Sequence, residues 1–238
     1  MTTILSLEEF WHSPARQLLA YPNGDEDTVL HRWAELQTLS IDGIYSHGPE
    51  TLAGLEILGL GYCGVVFRVL HQGEDRVLKI RRESAPQSSL TIESTMLQRA
   101  NVIGVGPSHI AHSDNFLLMD YIDGPMLVDW LQKSHGVEEI HHIVVRLIHQ
   151  AYRLDQARLD HGDLRCITAH ALMRAQEPII IDFSKASLDR RPANITTLVQ
   201  GLFISTRIAK HLRPWFPHVT KSLDFVQICR EGCTKKRQ

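Results

Sequence analysis

Residues 159–186 read LDHGDLRCITAHALMRAQEPIIIDFSKA, and the fold turns on how this stretch is understood. His161-Gly162-Asp163 precedes a short apolar run and a turn. A second run, Ile179-Ile180-Ile181, then delivers Asp182-Phe183. The pattern predicts two neighbouring short strands, each with an aspartate at its end. Phosphoryl transfer calls for such a pair, one carboxylate orienting a hydroxyl nucleophile and the other holding magnesium against ATP phosphates. Either aspartate alone is also an ordinary strand-closing turn residue, so the decision rests on the rest of the chain.

Upstream, Leu55-Glu56-Ile57-Leu58 reads as a strand. It is followed by Gly59-Leu60-Gly61-Tyr62-Cys63-Gly64 and Val65-Val66-Phe67-Arg68-Val69-Leu70. GxGxxG also marks dinucleotide sites, but those need a helix to begin at the glycines so that its N-terminus meets the pyrophosphate. Here a β-branched and aromatic run follows, which predicts a hairpin. Such a hairpin can lie over ATP with its amides close to the phosphates; a ligand-free glycine hairpin is the plainer alternative. After a turn at Gln72-Gly73-Glu74-Asp75 comes the strand Arg76-Val77-Leu78-Lys79-Ile80. Alternation puts Val77 and Lys79 on one face, Leu78 and Ile80 on the other. A lysine in a short apolar strand is costly unless its ammonium finds anions. ATP phosphates and a carboxylate of the next helix would serve, and Glu93 is the candidate, with Ile92, Met96 and Leu97 as that helix's expected buried face. The competing reading is a snorkelling lysine and a solvated glutamate.

Further along, Gly104-Val105-Gly106-Pro107 is a predicted loop, 115–124 (NFLLMDYIDG) a buried strand ending in a turn, and 127–133 a short helix. From Glu138, apolar residues Ile140, Ile143, Val144, Leu147, Ile148, Ala151 and Leu154 keep the helical period, marking a core helix that feeds into the His161-Gly162-Asp163 segment. Beyond the aspartates, Asn194 is the expected cap of a helix carrying Ile195, Leu198, Val199, Leu202 and Phe203. The first fifty residues read as helical. Ser6 and Glu9 have capping-box spacing, Pro14 kinks a helix reaching residue 20, and Val29, Leu30, Trp33 and Leu36 share a face of the next. Residues 43–49 read as a linker.

Composition excludes several classes. With 43% apolar and 22% charged residues, a net charge of -2 and a pI near 6.7, the 238-residue chain is of ordinary globular type. No global basic field points to nucleic acid or a membrane surface, and no apolar run approaches spanning length. The acidic start lacks the basic segment of a signal peptide. A cytoplasmic protein with reduced thiols is expected. Cys229 and Cys233 sit one helical turn apart, but no second close pair completes a zinc set. None of the 14 histidines has HExxH spacing. The basic cluster Lys235-Lys236-Arg237 reads as a solvated tail.

Taken in order, these pieces resemble the protein-kinase-like fold. Gly59, Gly61, Gly64 and Val66 match the glycine loop GxGxxGxV; Lys79 matches the strand lysine and Glu93 its helix partner. His161-Gly162-Asp163-Leu164 matches the catalytic loop and Asp182-Phe183 the magnesium-binding motif. The resemblance implies that main-chain groups of Asp120 and Ile122, in MDYI, meet the adenine. More narrowly, GVGP (104–107), LLMDYIDG (117–124), LDHGDL (159–164), IIDFSKAS (180–187) and NITTLVQGLF (194–203) resemble small predicted Ser/Thr protein kinases of archaea and cyanobacteria, relatives of the RIO-type atypical kinases. The fold class so implied is α+β: a bilobal kinase-like fold with a reduced C-lobe and an N-terminal helical extension. Its parts would be 1–50 (extension), 51–123 (N-lobe) and 124–238 (C-lobe).

The resemblance implies ATP and Mg2+ as cofactors, with Asp163, Lys79 and Asp182 catalytic and Asp182 on the metal. Three departures narrow it. Little more than ten residues separate Asp182 from Asn194 and no APE-like motif follows, so the peptide-binding platform of ordinary protein kinases is missing. Ser184 replaces the third residue of DFG. Where a metal-binding asparagine is expected stands Thr168 or His170, a weak hydroxyl ligand or one suited to softer metals. The expected activity is transfer of the ATP γ-phosphoryl group to a protein hydroxyl. A small-molecule hydroxyl acceptor and a nucleotide-binding module acting through partners are the alternatives.

Overall fold

The structure is a computed structural model describing residues 3–133, 135–204, 207–212 and 215–216. It divides into two compact units, one of residues up to Thr95 with Ser108–Tyr121, the other of Met96–Pro107 with residues from Ile122 onward.

The first unit contains strands β1 (Thr3–Leu5), β2 (Ile41–Ser46), β3 (Glu50–Leu52), β4 (Leu55–Ile57), β5 (Gly59–Leu60), β6 (Gly64–His71), β7 (Glu74–Arg81), β8 (His109–His112) and β9 (Phe116–Asp120). Among the described residues, seven form one antiparallel sheet ordered β1-β2-β6-β7-β9-β8 with β5 folded back onto β6; β3 and β4 pair separately. Val65, Phe67 and Val69 of β6 and Leu78 and Ile80 of β7 point to one buried face. There they join Phe10, Leu18, Leu19, Val29 and Leu36 in one core. The hydrophobic effect, acting on the strict alternation of these strands, fixes which face is covered.

The cover comes from the first forty residues. Helix α1 (Leu7–His12) opens with the expected capping box: Glu9 N–H donates to Ser6 Oγ at 3.2 Å and Ser6 N–H to Glu9 Oε2 at 2.8 Å. Pro14 does more than kink it, since α1 stops at His12 and a 3-10 helix runs over Pro14–Ala20. Helix α2 (Glu26–Gln37) buries Val29 and Leu36, whereas Leu30, expected beside them, faces solvent. Arg32 takes the inward place, only 2% exposed, its Nη1 donating to the carbonyls of Leu19 (2.7 Å) and Arg81 (2.6 Å). Burial, then the charge of Arg81, lowers its pKa to about 10. The expected linker at 43–49 is largely strand: β2 pairs with β1 on one side and β6 on the other. The first fifty residues thus carry two sheet strands as well as helices.

Helix α3 (Thr91–Val102) begins in the first unit and ends in the second. Met96 and Leu97 are buried as expected, but Ile92 is 65% exposed; Glu93 and Ser94 are buried instead.

In the second unit lie α4 (Leu127–Leu131), α5 (Val137–Gln156), the hairpin β10 (Ala171–Arg174) and β11 (Glu177–Ile180), α6 (Asn194–Phe203) and α7 (Arg207–Leu212). All seven apolar positions named for α5 are buried. Buried Gln150 ties α5 to β11, donating from Nε2 to Pro178 O (2.6 Å) and accepting from Ile180 N–H (3.3 Å). No helix among the described residues is long and apolar enough to cross a membrane. Neither Cys63 nor Cys166 forms a disulfide among the described residues; Cys229, Cys233 and the basic 235–237 cluster lie outside them.

Candidate active site

In the first unit the glycine segment is the predicted hairpin. Gly59 and Leu60 pair with Val66 and Val65, and Gly61 N–H closes the turn on Gly64 O at 2.8 Å. The Gly61 amide is therefore engaged within the hairpin. Arg82 pins the tip, donating from Nη1 to Gly61 O (3.1 Å) and from its amide to Cys63 O (2.9 Å). Gly64 has no room for a side chain: a Cβ would lie 2.9 Å from both Ile80 O and Lys79 Cγ. Half-buried Val66 is the cross-strand partner of Lys79, so the two share the sheet face away from the core.

Lys79 and Glu93, each 6% exposed, form the pair the sequence suggested. Nζ donates to Oε1 at 2.7 Å and Oε2 at 2.9 Å. Two buried charges persist only when well matched, so the snorkelling alternative is set aside. On β9 the Asp120 amide donates to Ser108 O (2.8 Å) and its carboxylate accepts from Arg76 Nη1 (2.9 Å). Ile122, buried, opens the later segment of the second unit.

In the second unit the residues of the expected catalytic loop are held by buried hydrogen bonds. His161 is fully buried, with Nε2 3.1 Å from Ile181 O. A carbonyl can only accept, so Nε2 carries the proton and Nδ1 is a bare lone pair, buried without a hydrogen-bond partner among the described residues. Burial, then the charge of His170, pushes the His161 pKa down to about 4. Asp163 does not close a strand, as the sequence predicted. It precedes a 3-10 run, Leu164–Ala169, and the strands follow as β10 and β11. Its Oδ2 accepts from Lys185 Nζ at 2.7 Å and lies 3.2 Å from His170 Nε2. Burial alone would raise this carboxyl, but the Lys185 bond and the charges of His170 and Lys185 outweigh it and hold the pKa below the ordinary aspartate value.

Asp182 stands just beyond β11 with φ +65°, a left-handed conformation uncommon outside glycine. Its Oδ1 accepts from Ser184 N–H (3.2 Å), and its Oδ2 lies 3.8 Å from His170 Nδ1. His170 thus stands between Asp163 and Asp182, within hydrogen-bonding distance of the first only. Thr168 is half-buried in the 3-10 run and makes no side-chain hydrogen bond to either carboxylate among the described residues. Among the same residues, no cluster of three or more His, Cys, Asp or Glu side chains is placed to hold a metal. Phe183, 2% exposed, packs 5.0 Å from the His161 ring, centroid to centroid. A Cβ on Gly106 would come within 2.8 Å of its ring.

Two contributors went unnoticed in the sequence. Lys185 is one; Asn194 is the other. Asn194 does not cap α6 but is its first residue, fully buried, and its side chain reaches back to the loop. Oδ1 accepts from His161 N–H (2.9 Å), and Nδ2 donates to Leu159 O (2.8 Å) and Asp155 Oδ1 (2.9 Å). Asp155 of α5 takes over the capping, accepting from the amides of Asn194 (2.9 Å) and Ile195 (3.3 Å).

Comparison with known proteins bears on the fold and the family. No curated protein sequence matches the chain. Its fold is similar to that of the Rio2 kinase of Chaetomium thermophilum in its ADP/Mg2+-phosphoaspartate complex. The TM-score is 0.54 at 21% identity, covering 82% of this chain and 62% of the fungal one. This chain therefore spans less than two thirds of that kinase. The RIO domain family model matches residues 68–200, more than half of the 238 residues, starting within β6 past the glycines and including Lys79, Glu93, Asp163 and Asp182. The chain belongs to the RIO domain family, within the protein-kinase-like superfamily.

Proposed function

We propose that the chain is an ATP-dependent phosphotransferase, an atypical serine/threonine protein kinase that moves the γ-phosphoryl group of ATP to a hydroxyl. The observation that carries this is Asp163, a carboxylate on a braced loop, gripped on one oxygen by Lys185 and His170, with Asp182 on the far side of that imidazole. Asp163 orients the acceptor hydroxyl and takes its proton. Lys79, fixed by Glu93, holds the α/β-phosphates, and the hairpin through Gly59, Gly61 and Gly64, with Val66, covers them. The main chain at Asp120 and Ile122 receives the adenine.

Magnesium supplies neutralisation of the phosphate charge when bound. It prefers one or two carboxylates with waters and phosphate oxygens, and Asp182 is the donor of that kind at this position. His170 has Nε2 turned to Asp163, and an imidazole suits softer metals. The chain's own residues thus fit one magnesium on Asp182 better than a second on Thr168 or His170. The fungal relative, by its description, holds ADP, Mg2+ and a phosphoaspartate, which supports the choice of nucleotide and metal.

One observation favours a second acceptor class. Residues 183–193 alone separate Asp182 from α6, too few for a peptide platform, which suits a small-molecule alcohol. Incubation with γ-labelled ATP and Mg2+ tests both. Label that is stable to hydroxylamine, and abolished in Asp163→Ala and Lys79→Ala, is the expected result, on protein or on a small alcohol. Label surviving in Asp163→Ala overturns the mechanism. ATP binding without transfer to any acceptor would leave a nucleotide-binding module.

A further inference from the structure

Lys185 lies inside the IIDFSKAS stretch but receives no role from the resemblance, yet its Nζ donates to the proposed base at 2.7 Å from Asp163 Oδ2. Its side chain is 60% exposed. Holding a long exposed side chain in one place loses rotamer entropy, and an exposed ion pair returns little. Stability alone therefore gives a weak reason for the contact.

The backbone beneath Lys185 is nonetheless firmly set. Asp160 and Ser187 exchange both main-chain hydrogen bonds (2.9 and 2.8 Å), and Ala186 N–H donates to Phe183 O at 3.0 Å. Arg190 donates from Nε to Asp160 Oδ2 at 2.7 Å and from Nη2 to the Lys185 carbonyl. Gly162, at φ +82°, makes room for this: a Cβ there would meet Lys185 O at 2.4 Å and Arg190 Nη2 at 2.5 Å. The glycine between His161 and Asp163 is thus matched to the segment that presents Lys185.

The chemistry gives this ammonium a task. A carboxylate base beside an incoming phosphoryl group repels it, and a cation on the same carboxylate offsets that repulsion. An ammonium has three donors. One is engaged with Asp163, leaving two for oxygens brought alongside.

We propose that Lys185 is a catalytic residue that holds a non-bridging oxygen of the γ-phosphoryl group while keeping Asp163 aligned on the acceptor. This rests on the phosphotransferase reading above. In the step, the acceptor O–H gives its proton to Asp163 and its oxygen forms the new bond to Pγ. The bond from Pγ to the β,γ-bridging oxygen breaks, and ADP leaves with that electron pair. Lys185 keeps its proton throughout, facing the charge spread over the equatorial oxygens. Asp163 then releases its proton to water.

The test uses the full chain with Mg2+, ATP and the acceptor on which the wild type is active, itself included. In Lys185→Ala, kcat falls about 100-fold, the scale of losing one preorganised transition-state donor. The ATP Kd by calorimetry stays within about twofold, Tm is unchanged, and Lys185→Arg recovers part of kcat. A Lys185→Ala kcat within about threefold of wild type overturns the proposal. So does a loss of kcat that tracks a fall in Tm and is not recovered in Lys185→Arg. Asp163→Ala runs alongside: wild-type inactivity, or an active Asp163→Ala, overturns the phosphotransferase reading and the Lys185 role with it.

Discussion

Nε2 of His170 lies 3.2 Å from Oδ2 of Asp163, so an imidazole near the expected place of a metal-binding asparagine is turned toward the proposed base. Magnesium dependence is then expected to reside in Asp182. Asp182→Asn will lose at least about tenfold of the Mg2+-dependent gain in ATP affinity, while His170→Ala keeps it within about twofold. Calorimetry with and without EDTA measures both. Equal losses in the two variants would place His170 on the metal after all.

Lys79→Ala leaves the Glu93 carboxylate buried without its lysine, a loss of about 3–5 kcal/mol by the usual cost of breaking a buried pair. Adding Glu93→Ala will recover part of that stability but no transfer activity. Urea unfolding of the two single variants and the double variant closes the cycle; strict additivity would contradict a direct coupling.

His161 makes acid stability predictable in sign. Its pKa is about 4 in the folded protein because burial, then the charge of His170, opposes protonation, against about 6.5 when unfolded. A group with a depressed folded pKa holds its contribution above the unfolded value and loses it as pH falls toward the folded one. Stability will therefore decline from pH 6.5 to about 4, by roughly 3 kcal/mol for this group. His161→Gln, which keeps an N–H for the Ile181 carbonyl but does not titrate, will flatten that part of the curve. An unchanged slope would assign the effect to other groups.

Asn194→Ala deletes the acceptor for the His161 amide and two donors in a fully buried place, for a loss of about 2–4 kcal/mol. Asn194→Asp will be no better, since it sets a second carboxylate against Asp155. Chemical denaturation reads the stability, and proteolysis near residue 161 reads the loop. Wild-type stability in either variant would mean that water replaces all three bonds.

The parts legible in the sequence were those governed by period. The alternation of β6 and β7 and the apolar spacing of α5 place Lys79 and the core without any long-range information. Helix faces failed where a polar residue earns burial through a distant partner. Arg32 displaces Leu30 inward because two carbonyls await it, and Glu93 displaces Ile92 because Lys79 does. Strand β2, reading IDGIYS, was passed over because its glycine and aspartate are turn residues in most settings. Leu164–Ala169 looked like strand because apolar residues in a short run do not separate strand from 3-10 helix. Asn194 suits a helix cap and a loop brace equally by type, and the bonds that decide reach 33 to 39 residues back. Lys185 carried no local sign at all, since its partner lies 22 residues earlier.

The place of β2 between β1 and β6 bears on how this protein can be cut for experiment. The family match begins at residue 68, in the middle of β6, and a fragment trimmed there would halve that strand. Trimming at residue 50 would be little better. It would strip the neighbour from β6 and remove Phe10, Leu18, Leu19, Val29 and Leu36, leaving Phe67, Leu78 and Ile80 open to water. Expression vectors for the kinase-like fold therefore have to start ahead of β1, and a shorter insert that precipitates would report on missing core rather than on missing chemistry.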